Sequence, residues 1–394
     1  MTTKKIVHTD QYEIVRMSEK RKEPSPYVKR WRSPDVVFAV YANRLYPVAI
    51  GTDPTADYWK LRKAVALYDV PERPVSIKGP DAVRLLERVL TRPISPIRRW
   101  RGVYGLACLP DGGILMDGVL IRLGDDHFWY VQADGDIENW LMAHGVDMDV
   151  TVSDPGSRVL QVQGPRSHQF LVAASGAPLP ADFRYFSAQM FNLGGQEVLV
   201  SNSGWTGELG IEIYSHVGLD HLALWDHLMR CGEPFGMTMA AGDSMGPRRV
   251  EAGILDNRTD FDRTMTPFAA GLGSFVNFDN PDFIGRSALL DAPRDQLLFG
   301  VRCEDGTPWA GDQLLVDGDP VGHVTVGDWS PTLEVGVGYA RFGAPTEGGW
   351  LGHTVALRGA AGDFVGEIVA LPFFDREKRL PRSRQLDEGD PARV

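Results

Sequence analysis

VSIKGPDAVRLLERVL (Val75–Leu90) and LQVQGPRSHQFLVAAS (Leu160–Ser175) are built to one plan. Each opens on a short β-branched run, turns at Gly-Pro, and continues into a segment whose apolar residues recur every three or four positions, as Val83, Leu86 and Leu90 do. Glycine suits the corner and proline suits the first helical turn, where its missing N–H would be unpaired anyway. The device predicts two subdomains, each carrying a strand, a corner and a helix. Around these segments strand-like and helix-like pieces alternate without a regular βαβ rhythm, so the expected class is α+β and not a doubly wound sheet.

Beyond about Gly285 the pattern changes. QLLFGVRC (Gln296–Cys303), PVGHVTVG (Pro320–Gly327), EVGVGYARF (Glu334–Phe342) and HTVALRG (His353–Gly359) follow at close spacing between Gly, Asp and Pro. They predict a separate β-rich module. The start of the chain is charged and broken by Pro24, Pro26 and Pro34, and its KRWR run (Lys29–Arg32) reads as a solvated arm. REKRLPRSRQLDEGDPARV (Arg376–Val394) has almost no apolar side chains and reads as a loosely held tail.

Composition narrows the function. With 394 residues and 43% hydrophobic content the chain can bury large cores in two or three domains. A formal charge of −11 argues against a nucleic-acid partner, since phosphate neutralisation needs Lys and Arg. No run reaches the roughly 18 apolar residues of a membrane helix, and the polar start lacks a signal-peptide core. A soluble cytoplasmic protein without a membrane partner is expected. Cys108, Cys231 and Cys303 are odd in number and far apart, which fits neither a disulfide framework nor a CxxC site. His221 and His227 do not share a helix face as an i, i+4 pair would, so no metal site is expected.

GDSMG (Gly242–Gly246) matches G-x-S-x-G, the elbow of serine hydrolases. That chemistry requires a strand before Ser244 and a partner histidine after it. Only His323 and His353 follow, both in the β-rich end, so a chance match is the better reading.

Two stretches carry acids in positions worth explaining. LPDGGILMDGVLIRL (Leu109–Leu123) reads as a hairpin whose second strand is apolar except for Asp117, which either faces solvent or is held for function. In NSGWTGELGIEIY (Asn202–Tyr214) the alternation puts Glu212 and Tyr214 on one strand face and Ile211 and Ile213 on the other. Trp205 is brought near by the turns at Gly204 and Gly207. An acid beside a flat aromatic suits a flat heterocycle with amino N–H groups, such as the guanidine-like edge of a pterin.

In order along the chain, ALYDVPERPVSIKGPDAV (Ala66–Val83), VYGLACLPDGGILMDGVLI (Val103–Ile121), SGWTGELGIEIY (Ser203–Tyr214), RRVEAGILDNRTDFDRTMTPFAAGLGSFV (Arg248–Val276), FIGRSALL (Phe283–Leu290) and GHVTVGDWSPTLEVGVGYA (Gly322–Ala340) resemble the folate-dependent aminomethyltransferases, the T-protein of the glycine cleavage system and its demethylase relatives. The resemblance implies three subdomains in a cloverleaf around a central folate site, with a C-terminal β-barrel or jelly-roll-like module. The corresponding division is 1–54 with 151–285, a folate-binding unit; 55–150, a second α+β unit; and 286–394, the β-rich end and tail.

The resemblance also implies roles. Tetrahydrofolate is the cofactor, with Glu212 holding the pterin edge and Trp205, Asp117 and Arg249 beside it. Asp117 and Tyr104 are the candidate catalytic pair, and the partner is a small-molecule methyl donor. Two departures bear on the chemistry. Asp69, Val70, Pro71, Glu72 and Arg73 stand where the aminomethyltransferases have D-V-S-H-M, and Met116 replaces one of two adjacent acids before Asp117. NRTDFDRTMTPFAAGLGSFV (Asn257–Val276) and LPFFD (Leu371–Asp375) look closer to the branch that includes dimethylsulfoniopropionate demethylase. A sulfonium demethylase is therefore the leading expectation. Alternatives are an O-demethylase of methoxylated aromatic acids, a glycine-cleavage aminomethyltransferase, and a non-catalytic folate-binding relative.

Overall fold

The computed structural model of the chain describes residues 22–132, 134–360 and 362–383. Both Gly-Pro corners fold as one device. The strands Arg73–Lys78 and Arg158–Gln163 end at Gly79 and Gly164, whose φ values of 142° and 132° lie where a side chain is strained. A Cβ on Gly79 would strike the Asp149 carbonyl, and one on Gly164 would come within 2.5 Å of the Ala64 carbonyl. Each corner closes as a turn, Ala82 N–H donating to Gly79 O at 2.9 Å and Ser167 N–H to Gly164 O at 3.0 Å. Pro80 and Pro165 thus occupy the second position of a turn, which fixes the right φ, and not the first turn of the helices Ala82–Val89 and Ser167–Ser175 as expected.

The strands form two large sheets and a barrel. One sheet has six strands in the order Ala188–Leu193, Gln196–Ser201, Gly210–Ser215, Arg158–Gln163, Ala66–Val70 and Thr238–Met239. Its neighbours are antiparallel except the last pair, which is parallel. The other has five antiparallel strands in the order Gly102–Cys108, Ile114–Arg122, His127–Gln132, Arg73–Lys78 and Thr151–Ser153. The strand Ala66–Val70, assigned by the sequence division to the 55–150 unit, is instead hydrogen-bonded to Arg158–Gln163 in the six-stranded sheet. Its apolar run suits a place between two neighbours, and the chain crosses from one sheet to the other over Pro71 and Glu72 alone.

Helices cover the outer faces. Phe170, Leu171, Leu224 and Leu228 of the helices Ser167–Ser175 and His221–Gly232 pack on Leu160, Val162, Ile211 and Ile213. Leu85, Leu86 and Val89 pack on Val75, Ile77, Leu120 and Phe128 of the other sheet. The inner faces meet each other through Tyr68, Leu199 and Tyr214 on one side and Ile121, Val131 and Trp129 on the other. The result is a helix–sheet–sheet–helix stack, and the inner face is where Glu212 and Tyr214 point.

The β-rich end is a closed barrel of Leu298–Cys303, Val335–Phe342, Asp319–Ser330, Gln313–Val316, Thr354–Gly359 and Gly362–Val369, resolving the barrel or jelly-roll alternative in favour of the barrel. The helix Gly242–Glu251 lies against it. The KRWR arm is not simply solvated: Val28–Trp31 is a helical turn, with Tyr27 and Trp31 buried in the first core while Arg30 reaches Asp226 outside. Aromatic rings outweigh the charges around them, because each buries far more apolar surface than a lysine or arginine stem loses. No helix of the described residues is long and apolar enough to cross a membrane. Residues 1–21 of the charged start and 384–394 of the tail lie outside the described residues.

Candidate functional site

The signature strand Gly210–Ser215 puts Ile211 and Ile213 into the helix-covered core and Glu212 on the inner face, as alternation requires. Glu212 is 7% exposed. Gln161 Nε2 donates to its Oε1 at 3.0 Å, while Tyr214 OH and the hydroxyls of Ser203 and Ser201 reach its Oε2 at 2.8, 2.6 and 3.1 Å. Ser201 and Ser203 are also hydrogen-bonded to each other, which uses one of their two protons. Counting lone pairs, Oε1 keeps one acceptor position for a ligand.

The other acid of the same signature has a different fate. Glu208 accepts from Arg62 Nη1 and, at 3.1 Å, from Arg248 Nε; Arg248 Nη1 reaches Glu251 at 3.2 Å. Glu251 also accepts from Tyr58 and from Ser330 of the barrel at 2.7 and 2.6 Å. Arg62 and Arg248 stack at 4.9 and 5.3 Å from the Phe374 ring centroid. All four charges are buried, and they balance. Glu208 is thus a structural acid that ties helix Pro54–Lys63, the signature loop, helix Gly242–Glu251 and the barrel end together.

Asp117 is held inside. Its strand Ile114–Arg122 is an inner strand of the five-stranded sheet, and the residue is 7% exposed, which answers the question of whether it faces solvent. Tyr104 OH, on the paired strand, donates to Oδ2 at 2.8 Å, while Oδ1 is buried without a donor. Burial is the main force on this carboxyl, eased by Tyr104 and reinforced by the charge of Asp256; together they push it up to about 7. Tyr104 is pushed well above its ordinary value by burial and by Asp117, so it is a poor proton source.

Arg249 and Trp205 are brought together. The guanidinium carbon of Arg249 lies 5.0 Å from the Trp205 ring centroid, and Nη1 bonds to Asp260 at 2.6 Å and to Ile254 O at 2.9 Å. One face of Trp205 therefore meets a protein cation, a contact not anticipated from the sequence, where the ring was expected beside folate and donor. Asp260 in turn accepts from Thr325 of the barrel at 2.9 Å.

Two residues not assigned a role from sequence lie between these groups. Gln161 donates from the same Nε2 to Glu212 and, at 2.8 Å, to Glu72 Oε1. Burial, and secondarily the charge of Glu212, hold the Glu72 carboxyl well above the ordinary range. The phenol of Tyr41, pushed up mainly by burial, also feels the charges of Asp256, Glu72, Asp117 and Asp134. The available signal was the position of Glu72, an acid in a two-residue crossing between strands; its closeness to Glu212 depends on pairing of Tyr68 with Gln161 and of Gln161 with Glu212 across three strands. Ser244 is fully buried, donates to Ala241 O at 2.8 Å and meets Tyr68 OH at 3.2 Å, an arrangement without a histidine and unlike a hydrolase elbow.

Comparison with known proteins follows the same lines. The family model described as GCVT N-terminal domain matches residues 36–280, and that described as glycine cleavage T-protein C-terminal barrel domain matches residues 297–375. An aminomethyltransferase of Halothermothrix orenii is 32% identical over 324 residues, covering 79% of this chain and 89% of that protein. Dimethylsulfoniopropionate demethylase DmdA of Ruegeria pomeroyi is also 32% identical, over 313 residues covering 76% and 83%. The crystal structure of glycine cleavage system aminomethyltransferase T from Bartonella henselae shares the fold, with a TM-score of 0.77 at 22% identity over 86% of this chain and 94% of that one.

Proposed function

Because this chain belongs to the glycine cleavage T-protein family, we propose that it is a demethylase moving a methyl group from a small onium donor, a sulfonium such as dimethylsulfoniopropionate, to N5 of tetrahydrofolate. It is a tetrahydrofolate-dependent one-carbon transferase, as its family is; the donor is the proposed part. The residues present fit the cofactor. Asp117 Oδ1 and Gln161 Oε1 are buried acceptors without a donor, and a reduced pterin is rich in N–H groups. Glu212 would hold the amino edge, with Asp117 near N5. When bound, tetrahydrofolate supplies the N5 lone pair that takes the methyl group.

The observation that carries the choice of donor is the acidic interior: the shielded carboxyls of Glu212, Asp117 and Glu72 are bonded only to neutral donors, while Arg249 is already bonded to Asp260. Such a field favours a positively charged donor. A sulfonium leaves as a neutral sulfide and needs no proton. A methoxylated aromatic acid leaves as a phenolate and does need one, and Tyr104 is a poor source of it.

The chain's own work is alignment, which contributes on the order of 7–11 kcal/mol to such transfers. Asp117, poised near 7, is the residue to take the proton that N5 gives up. Turnover is expected to rise with pH as Asp117 ionises through about 7, and Asp117→Asn to flatten that rise and lower kcat by roughly 10²–10⁴-fold. The donor is tested by following 5-methyltetrahydrofolate with dimethylsulfoniopropionate, with methoxybenzoates and with the aminomethyl-lipoyl substrate of glycine cleavage. Turnover confined to either of the last two would remove the sulfonium assignment.

A further inference from the structure

Resting on that reading, we infer that Glu72, in the two-residue crossing between the sheets, is the specificity-determining residue that receives the positive centre of the methyl donor.

The carboxyl of Glu72 is placed, and it is unbalanced. Its main chain is pinned, the carbonyl accepting from Arg44 Nη1 at 2.6 Å. Its neighbour Arg73 is turned to Asp154 and Glu138, at 2.6 and 3.2 Å. The side chain itself meets one donor, Gln161 Nε2, and Oε2 is shielded from solvent without any partner. Gln161 is 1% exposed and leaves its own Oε1 without a donor. The charged group acting on Glu72 is Glu212, a like charge. A shielded carboxyl set beside another acid, with no cation bonded to it, costs folding energy.

What surrounds it explains the cost. The phenols of Tyr41, Tyr46 and Tyr214 lie in the field of Glu72, coming from the hairpin strands Val37–Tyr41 and Arg44–Ala49 and from the signature strand. The hairpin that carries Tyr41 and Tyr46 is tied to Glu72 through Arg44, and an aromatic and anionic lining suits an onium cation, which is drawn to π-faces and anions but donates no hydrogen bond. Tetrahydrofolate has its own carboxylate in Glu212. Burial and the charge of Glu212 hold the Glu72 carboxyl well above the ordinary carboxylate range, so a cation seated there favours its ionised form and donor affinity rises with pH.

The test compares dimethylsulfoniopropionate with 4-methylpentanoate, its isostere with a neutral carbon in place of the sulfonium, by calorimetry on the full chain, alongside tetrahydrofolate. In wild type the sulfonium should bind at least about tenfold tighter than the isostere, increasingly so as pH rises. Glu72→Gln should erase that preference and its pH dependence while leaving tetrahydrofolate affinity within about twofold. Glu72→Asp should retain part of it, which separates loss of charge from misfolding. Sulfonium preference surviving in Glu72→Gln, or tetrahydrofolate binding falling with it, overturns the role of Glu72 alone. A wild-type protein that binds tetrahydrofolate and shows no preference for the sulfonium overturns the onium donor as well.

Discussion

Glu208→Ala is expected to destabilise the protein by about 3–5 kcal/mol, the cost of leaving a buried cation without its partner. Glu208 serves two guanidiniums at once, and both are almost fully buried, Arg62 at 2% exposure and Arg248 at 0%. Its removal leaves two cations against Glu251, in a core where neither can reach water. Because the network also takes in Tyr58, Ser330 and the Phe374 ring, the barrel end should loosen with it. Denaturant unfolding measures the loss. The exposed pair of Arg30 with Asp226 serves as control: Arg30→Ala should cost far less, since both side chains are reached by solvent. Equal effects of the two substitutions would show that Glu208 does not bind the parts together.

The second large effect is on binding. Glu212→Ala should weaken tetrahydrofolate by on the order of 10–10²-fold, from one charge-assisted hydrogen bond of about 1.5–3 kcal/mol at the open position of Oε1. Removing the acid also strands Gln161, Tyr214 and the Ser201–Ser203 pair, so part of the change is structural. Tyr214→Phe separates the two contributions: it deletes one hydroxyl from Glu212 and keeps the carboxylate, and should alter folate affinity far less. Equilibrium dialysis of the folded variants reads this directly. Undiminished affinity in Glu212→Ala would end the assignment of this strand face to the pterin.

Glu208 and Glu212 lie four residues apart in one motif, yet one holds the fold and the other faces the site. Local sequence decides only half of that. Alternation along Gly210–Ser215 sends Glu212 to the face opposite Ile211 and Ile213, and this is legible because a strand has a period of two. Glu208 precedes the strand, where no periodicity applies, and its partners come from segments 146 and 40 residues away. Nothing in SGWTGELG names Arg62.

Patterns of short range were enough for the α+β class, the paired Gly-Pro corners, the hairpin bearing Asp117 and Tyr104, and the separate β-rich end. Each rests on backbone geometry or side-chain period within some fifteen residues, which the sequence carries whole. Sheet membership of Ala66–Val70, the burial of Tyr27 and Trp31, the Arg249–Trp205 stack and the Glu72–Gln161–Glu212 bridge were settled by tertiary structure. A charge or a ring has no fixed partner until strands pair. The same carboxyl is a surface group, a structural counter-ion or a ligand depending on what burial removes from around it and what the fold brings opposite.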